Sequence, residues 1–336
     1  ELLVVVQAVA GSNPVDHPSE EPLNRGALFI STSRVVFAKW RAMSEQLRLV
    51  GDEAPNSVVC ADNLEVLRTL PDASIQLIYI DPPFNTGRRQ QRQSLHTIRA
   101  HEGAEGSRVG FKGRSYRSIK GALYGYDDAF EDYWEFLEPR LIEAHRVLSE
   151  TGTLYLHLDY REAHYAKVLL DALFGRESFL NEIIWSYDYG ARTKKRWPAK
   201  HDTILVYVKD PKKYYFDSEG VDREPYMAPG LVTKEKAERG KLPTDVWWHT
   251  IVSPTGREKT GYATQKPEGI LRRIVQASSR EGDWVLDFFA GSGTTAAVAH
   301  ALGRRFLAVD SNPQAFEVMQ RRLEGSNTRF VERFRP

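Results

Sequence analysis

Apolar residues follow two spacings along the chain, and the two spacings alternate. Residues 58–60 and 75–80 are short apolar runs, which are typical of buried strands. In residues 62–70, 130–148 and 163–174, apolar side chains recur every three or four positions, which predicts amphipathic helices. Parallel strands need a crossover connection, usually a helix. The alternation therefore predicts an α/β fold with a mostly parallel sheet wrapped by helices.

The C-terminal part of the pattern is the most regular. Pro267 begins a predicted helix, and residues 284–288 form a predicted strand that ends in a glycine-containing turn and a further helix. The next predicted strand, 305–309, is followed by Asp310 and a last helix at 313–323. Strand, glycine turn, helix, strand and acid follow each other in the order of a nucleotide-binding βαβ unit.

Other stretches lack this regularity. Residues 1–30 are rich in Pro, Gly and Asn and predict a poorly ordered arm, before a helical pattern at 34–49. Residues 88–125 are rich in Gly, Arg, Ser and Gln, which predicts a long mobile basic loop. Residues 181–187 and 203–209 predict two strands, and residues 210–262 then show little periodicity.

Composition narrows the class of protein. With 336 residues, of which 41% are hydrophobic, the chain can bury a large core. Its longest apolar runs are shorter than the roughly 18 residues of a membrane-spanning helix, so we expect no membrane partner. The single cysteine, Cys60, excludes an intrachain disulfide and favours a reducing cytoplasm. His157, His201 and His249 lack ligand spacing, and we expect no metal site.

The basic residues cluster, although the net charge is only +1. Residues 88–121 contain nine Lys and Arg against two Glu, and residues 192–213 contain eight against two Asp. Around residues 187–197 aromatic side chains alternate with the cations, which suits phosphates and stacked bases. The alternative is a solvated hairpin. The predicted nucleic-acid contacts are Arg88, Arg89, Arg192, Lys194, Lys195, Arg196 and Trp197.

A stiff turn, Asp81-Pro82-Pro83-Phe84, follows directly on the apolar run 75–80. The two prolines fix φ near about −65° and remove two backbone donors, so that the turn offers mainly hydrogen-bond acceptors. Phe84 adds a flat apolar face. Such a turn suits a substrate amino group, although an ordinary turn at a strand end has the same sequence pattern.

A second turn contains Gly291 and Gly293, which allow a ligand to approach the backbone. Asp310 lies 19 residues after Gly291, the spacing of an acid that reaches ribose hydroxyls. The turn lacks the third glycine of the dinucleotide fingerprint, and Asp287 on the preceding strand would repel a pyrophosphate. Because Asp287 suits an ammonium group, the pattern favours S-adenosylmethionine over NAD.

Together the two turns resemble those of the β group of DNA amino-methyltransferases, in which the catalytic motif precedes the cofactor motif. The resemblance covers most of residues 57–324 and includes residues 62–63, 264–267 and 310–313. Phe84 stands where Tyr is frequent, and Asp310 replaces the more usual Glu. The resemblance implies a Rossmann-like, S-adenosylmethionine-dependent methyltransferase: a doubly wound sheet of about seven strands with an inserted target-recognition region.

The same resemblance implies the reaction. A site-specific enzyme of this type would transfer a methyl group from S-adenosylmethionine to the N6 amino group of adenine in duplex DNA, by base flipping and direct in-line transfer. Cytosine N4 is chemically equivalent and stays open. RNA or protein amino methylation and a non-catalytic DNA-binding relative are further alternatives. The implied catalytic residues are Asp81, Pro82, Pro83 and Phe84.

By this resemblance Asp62 and Asn63 lie near the cofactor adenine, and Lys266 and Thr294 near its carboxylate. Relatives are often homodimers. Because the chain is too short to hold a nuclease as well, a cognate restriction endonuclease would be encoded separately, and we expect a cytoplasmic, nucleoid-associated enzyme. The implied cofactor-binding residues are Asp62, Asn63, Asp81, Lys266, Asp287, Phe288, Ala290, Gly291, Ser292, Gly293, Thr294, Asp310 and Asn312.

The resemblance also divides the chain. Residues 31–187 form the catalytic half of the α/β domain, and residues 188–262 form the target-recognition insert. Residues 263–325 then form the cofactor-binding half of the same domain.

Overall fold

The computed structural model describes residues 48–85, 90–99, 108–109, 115–126, 133–188, 190, 192–253 and 255–332. The strands are β1 (Asn56–Cys60), β2 (Ile75–Ile80), β3 (Gln90–Arg99), β4 (Arg108–Val109), β5 (Ser115–Tyr126), β6 (Leu148–Leu158), β7 (Phe179–Ser186), β8 (His201–Val208), β9 (Val246–Trp248), β10 (Trp284–Asp287), β11 (Arg305–Asp310) and β12 (Thr328–Glu332). The helices are α1 (Asn63–Leu67), α2 (Tyr133–Val147), α3 (Ala163–Phe174), α4 (Lys234–Arg239), α5 (Glu268–Ser278), α6 (Thr294–Ala301) and α7 (Pro313–Arg322).

The main sheet has nine described strands in the order β12-β1-β11-β10-β2-β6-β8-β7-β9. The first six run parallel to one another, β8 pairs antiparallel with β6, β7 pairs antiparallel with β8, and β9 pairs in parallel with β7. The α/β fold with a mostly parallel sheet is therefore confirmed, with nine strands where about seven were expected. Every residue of β2 is buried, because helices cover both faces of a sheet of this kind.

The position of β2 determines the site. It pairs with β10 on one side, through Ile78 and Leu286, and with β6 on the other. Because β2 and β10 are parallel neighbours, Asp81, which follows β2, and Asp287, which ends β10, lie at the same edge of the sheet. A crevice at such an edge is where open α/β sheets bind their ligands.

Local signals explain several element boundaries. The Asp62 carboxylate accepts hydrogen bonds from the backbone amides of Leu64 and Glu65 at 2.9 and 3.3 Å, which confirms the predicted helix cap. The apolar stripe of α5, which includes Ile270 and Ile274, is buried in the core. Helices α2, α3, α6 and α7 begin within three residues of their predicted first positions or at them.

The segment predicted as a loop contains strands. β3, β5 and β4 form a separate antiparallel sheet in that order. The prediction of a loop across 88–125 is therefore wrong for these strands. Their residues mix Gln, Arg and Ser with isolated apolar positions, so no continuous apolar face was available to indicate a strand.

Two of the predicted domain boundaries separate strands that belong to the same main sheet. Strand β8 lies within the range 188–262 that was assigned to an insert, yet it pairs with β6 from Thr153 to Leu158. Strand β12 lies beyond residue 325 and pairs with β1. The arm at 1–30 and residues 34–47 of the helical pattern predicted at 34–49 lie outside the described residues. Of the helices that the structure describes, each is too short or too polar to cross a bilayer.

Candidate active site

A cavity of about 480 Å³ opens where β2 and β10 end. Both predicted turns line it, so residues more than 200 positions apart face one space. Its volume lies within the range of small-molecule and cofactor sites. Of the predicted catalytic and cofactor-binding residues, those that line the cavity are Asp62, Asn63, Asp81, Pro82, Pro83, Phe84, Lys266, Asp287, Phe288, Ala290, Gly291, Ser292, Thr294, Asp310 and Asn312.

Asp81 is held on one side only. Its Oδ2 lies 2.6 Å from the Nζ of Lys266, while its Oδ1 is buried and has no hydrogen-bond partner among the described residues. The same Nζ lies 4.9 Å from the centre of the Phe84 ring. Asn85 follows at φ +51°, and its amide donates to Glu162 at 3.0 Å. An acceptor, a cation and a flat ring therefore converge at this turn.

A buried polar chain lies behind the Phe84 ring. The His157 ring is 5.9 Å from that of Phe84, and its Nδ1 lies 2.8 Å from the Tyr79 hydroxyl. Its Nε2 lies 3.2 Å from Asp202, which also accepts from Tyr187 at 3.0 Å. Burial opposes ionisation of Asp202, but the bond from His157 holds its pKa below the usual value. His157 is fully buried and has both ring nitrogens in hydrogen bonds.

Asp287 stabilises the turn that contains Gly291 and Gly293, which is called the cofactor turn below. Its Oδ2 accepts from the Thr295 hydroxyl at 2.6 Å and its Oδ1 from the Phe289 amide at 3.0 Å. Burial raises the pKa of Asp287 to about 7, although these two hydrogen bonds oppose the shift. Asp287 is therefore a structural acceptor that also faces the cavity.

Asp310 holds the other side of the turn. Its Oδ2 accepts from the Gly291 amide at 2.8 Å and its Oδ1 from the Asn312 amide at 2.9 Å. Burial raises the pKa of Asp310, and the two amides work against that shift. Each carboxylate oxygen can accept a further hydrogen bond, so a ligand hydroxyl could still bind here.

The two glycines of the turn have different roles. Gly291 has φ +49° and faces the cavity, and a Cβ there would lie 3.2 Å from the ring of Tyr262. Gly293 has φ +70°, and its Cβ would come within 2.6 Å of the Met319 side chain. Gly293, which was expected to bind the cofactor, does not line the cavity and permits close packing of α7, while Gly291 leaves space for a ligand.

Sequence reasoning missed Arg140, which lines the cavity from α2. Its guanidinium donates to Asn63 at 2.6 Å and to Asp62 at 3.0 Å, and Asn63 in turn donates to the Phe288 carbonyl at 2.6 Å. Arg140 therefore ties the Asp62 turn to the cofactor turn. The signal was present: Arg140 lies three residues after Leu137 on the buried face of a helix, and a buried cation needs partners.

Thr294 fixes the backbone that carries Lys266. Its hydroxyl donates to the Lys266 carbonyl at 3.0 Å and accepts from Arg322 at 3.0 Å. Arg322 is itself buried and paired with Glu268 at 2.7 Å. The segment before α5 is thereby joined to the glycine turn.

Two of the predicted basic contacts line a second cavity of about 390 Å³. Arg192 and Arg196 line it, together with Tyr160 and two acidic residues, and Arg196 donates to the Tyr160 hydroxyl at 3.3 Å. Trp197 is 94% exposed. Lys194 and Lys195 are exposed but do not line this cavity, and Arg88 and Arg89 lie outside the described residues. No group of three or more metal-ligating side chains occurs in the described part of the chain.

Comparison with known proteins is consistent with this geometry. The DNA methylase family of the N6/N4 type matches residues 75–321. The DNA adenine methyltransferase YhdJ of Escherichia coli K12 is 32% identical over 283 residues, which is 82% of this chain and 84% of YhdJ. The type II methyltransferase M.HpaI of Haemophilus parainfluenzae is 30% identical over 270 residues, 80% of this chain and 74% of its own.

Solved structures share the fold. The M1.HpyAVI–SAM complex has a TM-score of 0.51 at 19% identity and covers 80% of this chain and 98% of its own. The cytosine-N4-specific PvuII DNA methyltransferase has a TM-score of 0.53 at 14% identity and covers 82% and 95%. The family match extends over more than half of the sequence and includes both turns of the cavity. This chain therefore belongs to the DNA methylase family, whose members transfer a methyl group from S-adenosylmethionine to amino groups of DNA bases.

Proposed function

We propose that this enzyme methylates the N6 amino group of adenine at a specific site in duplex DNA. The observation that carries the proposal is Asp81, which lines the same cavity as the glycine turn and whose buried Oδ1 has no hydrogen-bond partner among the described residues. An unused buried acceptor is costly unless a ligand donor satisfies it. Cytosine N4 is the second candidate, because its amine presents the same two N–H groups and the PvuII methyltransferase, specific for cytosine N4, has the same fold.

The catalytic turn would act by orienting the amine. Its lone pair is delocalised into the base ring, so acceptors must hold both N–H groups before the nitrogen can attack. Asp81 would accept one N–H and the Pro82 carbonyl the other, while Phe84 would stack on the base. S-adenosylmethionine supplies an electrophilic methyl group when bound. Asp81 also suits the positive charge that develops on the nitrogen, which strengthens its hydrogen bond in the transition state.

The residues of the cavity fit this cofactor. Asp310 offers lone pairs for ribose hydroxyls, Asp287 and Asp81 suit cationic groups, and Lys266 suits a carboxylate. Gly291 keeps the space beside Tyr262 free of a side chain. Asp62 and Asn63, tied by Arg140, form the end of the cavity that we assign to the cofactor adenine.

The DNA would be bound by the exposed basic segment. Reaching the amine requires the nucleotide to leave the duplex, at a cost of a few kcal/mol. Arg192, Arg196 and Trp197 offer charge for phosphates and a ring for stacking. We assign residues 188–200 and 209–262 to target recognition. A homodimer and a separately encoded restriction endonuclease are the partners that this function favours, in the cytoplasm beside the nucleoid.

The test is direct. The enzyme is incubated with genomic DNA and isotopically labelled S-adenosylmethionine, and the digested nucleosides are identified by mass spectrometry. N6-methyladenine at one sequence context is the expected product. N4-methylcytosine alone would transfer the assignment to the second candidate, and an absence of labelled DNA with labelled RNA or protein would overturn both.

A further inference from the structure

Lys266 occupies the place that the proposed function reserves for the target base. Its ammonium is 2.6 Å from the Asp81 carboxylate and 4.9 Å from the centre of the Phe84 ring. A base ring stacked on the face of Phe84 that the ammonium overlies would need the same volume, although its amine would bind the other oxygen of Asp81, Oδ1. Because the Lys266 and Asp81 side chains are only 13% and 16% exposed, the Lys266 ammonium and the target base cannot both occupy this volume. Lys266 must therefore move before a base can enter.

The geometry allows the side chain to move while the backbone stays. The Lys266 carbonyl accepts a hydrogen bond from the Thr294 hydroxyl. The next residue, Pro267, is the N-cap of α5 and has φ −71°. The four-carbon side chain has no such constraint. Its ammonium can thus reach new positions around a fixed point on the rim of the cofactor turn.

Once it leaves Asp81, the ammonium needs another anion. The other carboxylates that line the described cavity already hold partners at both oxygens: Asp62 binds two amides and Arg140, Asp287 binds Thr295 and Phe289, and Asp310 binds Gly291 and Asn312. Asp202, whose charge also interacts with Lys266, is held by His157 and Tyr187. An anion from outside the chain, whose oxygens have no partners to share, is therefore favoured over these carboxylates.

We propose that Lys266 couples the cofactor to base entry: its ammonium closes the base site at Asp81 and is drawn away by the carboxylate of the bound cofactor. This inference rests on the proposed function, since it assumes the same amine site. Lys266 is on this account a positioning residue. Coupling is reciprocal, so a flipped base must also tighten cofactor binding.

The experiment measures base flipping without chemistry. The adenine that the wild-type enzyme methylates is replaced by 2-aminopurine, whose fluorescence rises on leaving the stack, or by pyrrolocytosine if the methylated base is cytosine. The duplex is mixed with enzyme alone, with S-adenosylhomocysteine, or with 5′-methylthioadenosine, which lacks the carboxylate. We expect about tenfold more flipped base with S-adenosylhomocysteine, and no increase with 5′-methylthioadenosine.

Two variants complete the design. Lys266→Met keeps the length of the side chain and removes its charge, so we expect flipping without any cofactor and a coupling factor near one. Arg321→Met, at an exposed position on α7, should behave as wild type. If Lys266→Met does not fold, Lys266→Gln serves the same purpose. Calorimetry on the same proteins should show that target DNA tightens S-adenosylhomocysteine binding about tenfold in wild type only.

The outcomes separate the two hypotheses. Equal fluorescence with and without S-adenosylhomocysteine in wild type, or unchanged cofactor dependence in Lys266→Met, overturns the coupling role of Lys266. Wild-type protein that fails to methylate the unmodified duplex overturns the proposed function instead. Methylation with cofactor-independent flipping leaves the function intact and removes only the coupling.

Discussion

The carboxylates of the two turns that line the cavity differ in how many of their oxygens accept internal hydrogen bonds. In the cofactor turn, Asp287 and Asp310 accept internal hydrogen bonds at all four carboxylate oxygens. In the catalytic turn, Asp81 has one oxygen on a movable lysine and the other, buried, with no partner among the described residues. The first turn is complete before a ligand arrives, whereas the second is completed by its ligands. Binding and catalysis should therefore fail separately.

Replacing Asp81 should give the largest effect. In Asp81→Ala we expect the methylation rate to fall about 1,000-fold, because the acceptor that holds the amine is lost. Cofactor affinity should not fall, since the cofactor turn is untouched and the release of Lys266 for the cofactor carboxylate offsets the loss of one acidic group near the cofactor. Single-turnover kinetics and calorimetry measure the two quantities, with the exposed Asp52→Ala as control. A weakened cofactor would show that the turns are not separable.

The converse change is Gly291→Val. A side chain at φ +49° and 3.2 Å from the Tyr262 ring should weaken cofactor binding about 100-fold, through backbone strain and lost space. Gly282→Val is the matched control, because Gly282 has φ +84° and nothing within 4 Å. A valine at position 282 would have the same backbone strain but would not line the cavity. Equal affinities in the two variants would mean that Gly291 is not part of the ligand site.

The raised pKa of the buried Asp287 should make the stability of the protein depend on pH, which tests the cofactor turn separately from the catalytic turn. Its pKa is about 7 in the folded protein against an ordinary value of 3.8, so the folded state binds the extra proton between these values. Stability from this group is therefore present at low pH and is lost as pH rises towards 7, by up to about 1.4 kcal/mol per pH unit. Chemical denaturation from pH 5 to 7 should show this slope in wild type and a flatter one in Asp287→Asn. Parallel slopes would contradict the raised pKa.

The smallest expected effect separates DNA binding from both turns. Neutralising Lys194, Lys195 and Arg196 to glutamine should reduce the slope of log affinity against log salt by about 2 to 3, if each contacts one phosphate. Cofactor affinity should stay constant. The same number of charges removed from exposed positions outside the target-recognition segments, at Arg176, Arg280 and Arg321, should leave the salt slope unchanged. An unaltered slope in the first variant would support the alternative interpretation of residues 192–197 as a solvated hairpin that does not contact DNA.

Some of this arrangement could be predicted from sequence and some could not. The helices and parallel strands carry apolar periodicity, and the meeting of Asp81 with Asp287 follows once their strands are neighbours at a switch point. The Lys266–Asp81 pair has no local signal, because 185 positions separate the two residues. Strands β3 and β5 lack an apolar face. Arg140 had a signal, a cation on a buried helix face, that reasoning about motifs alone passed over.

The place of β2 between β6 and β10 also has a consequence for synthesis. Strand β6 follows β2 within about 70 residues, whereas β10 begins some 200 residues later. During translation the catalytic turn is therefore made early and waits beside an open strand edge until the C-terminal residues emerge. Contacts of such long sequence separation form slowly, and exposed edges favour aggregation. A nascent chain of this enzyme thus cannot modify DNA until β10 and the turn that follows it have been translated.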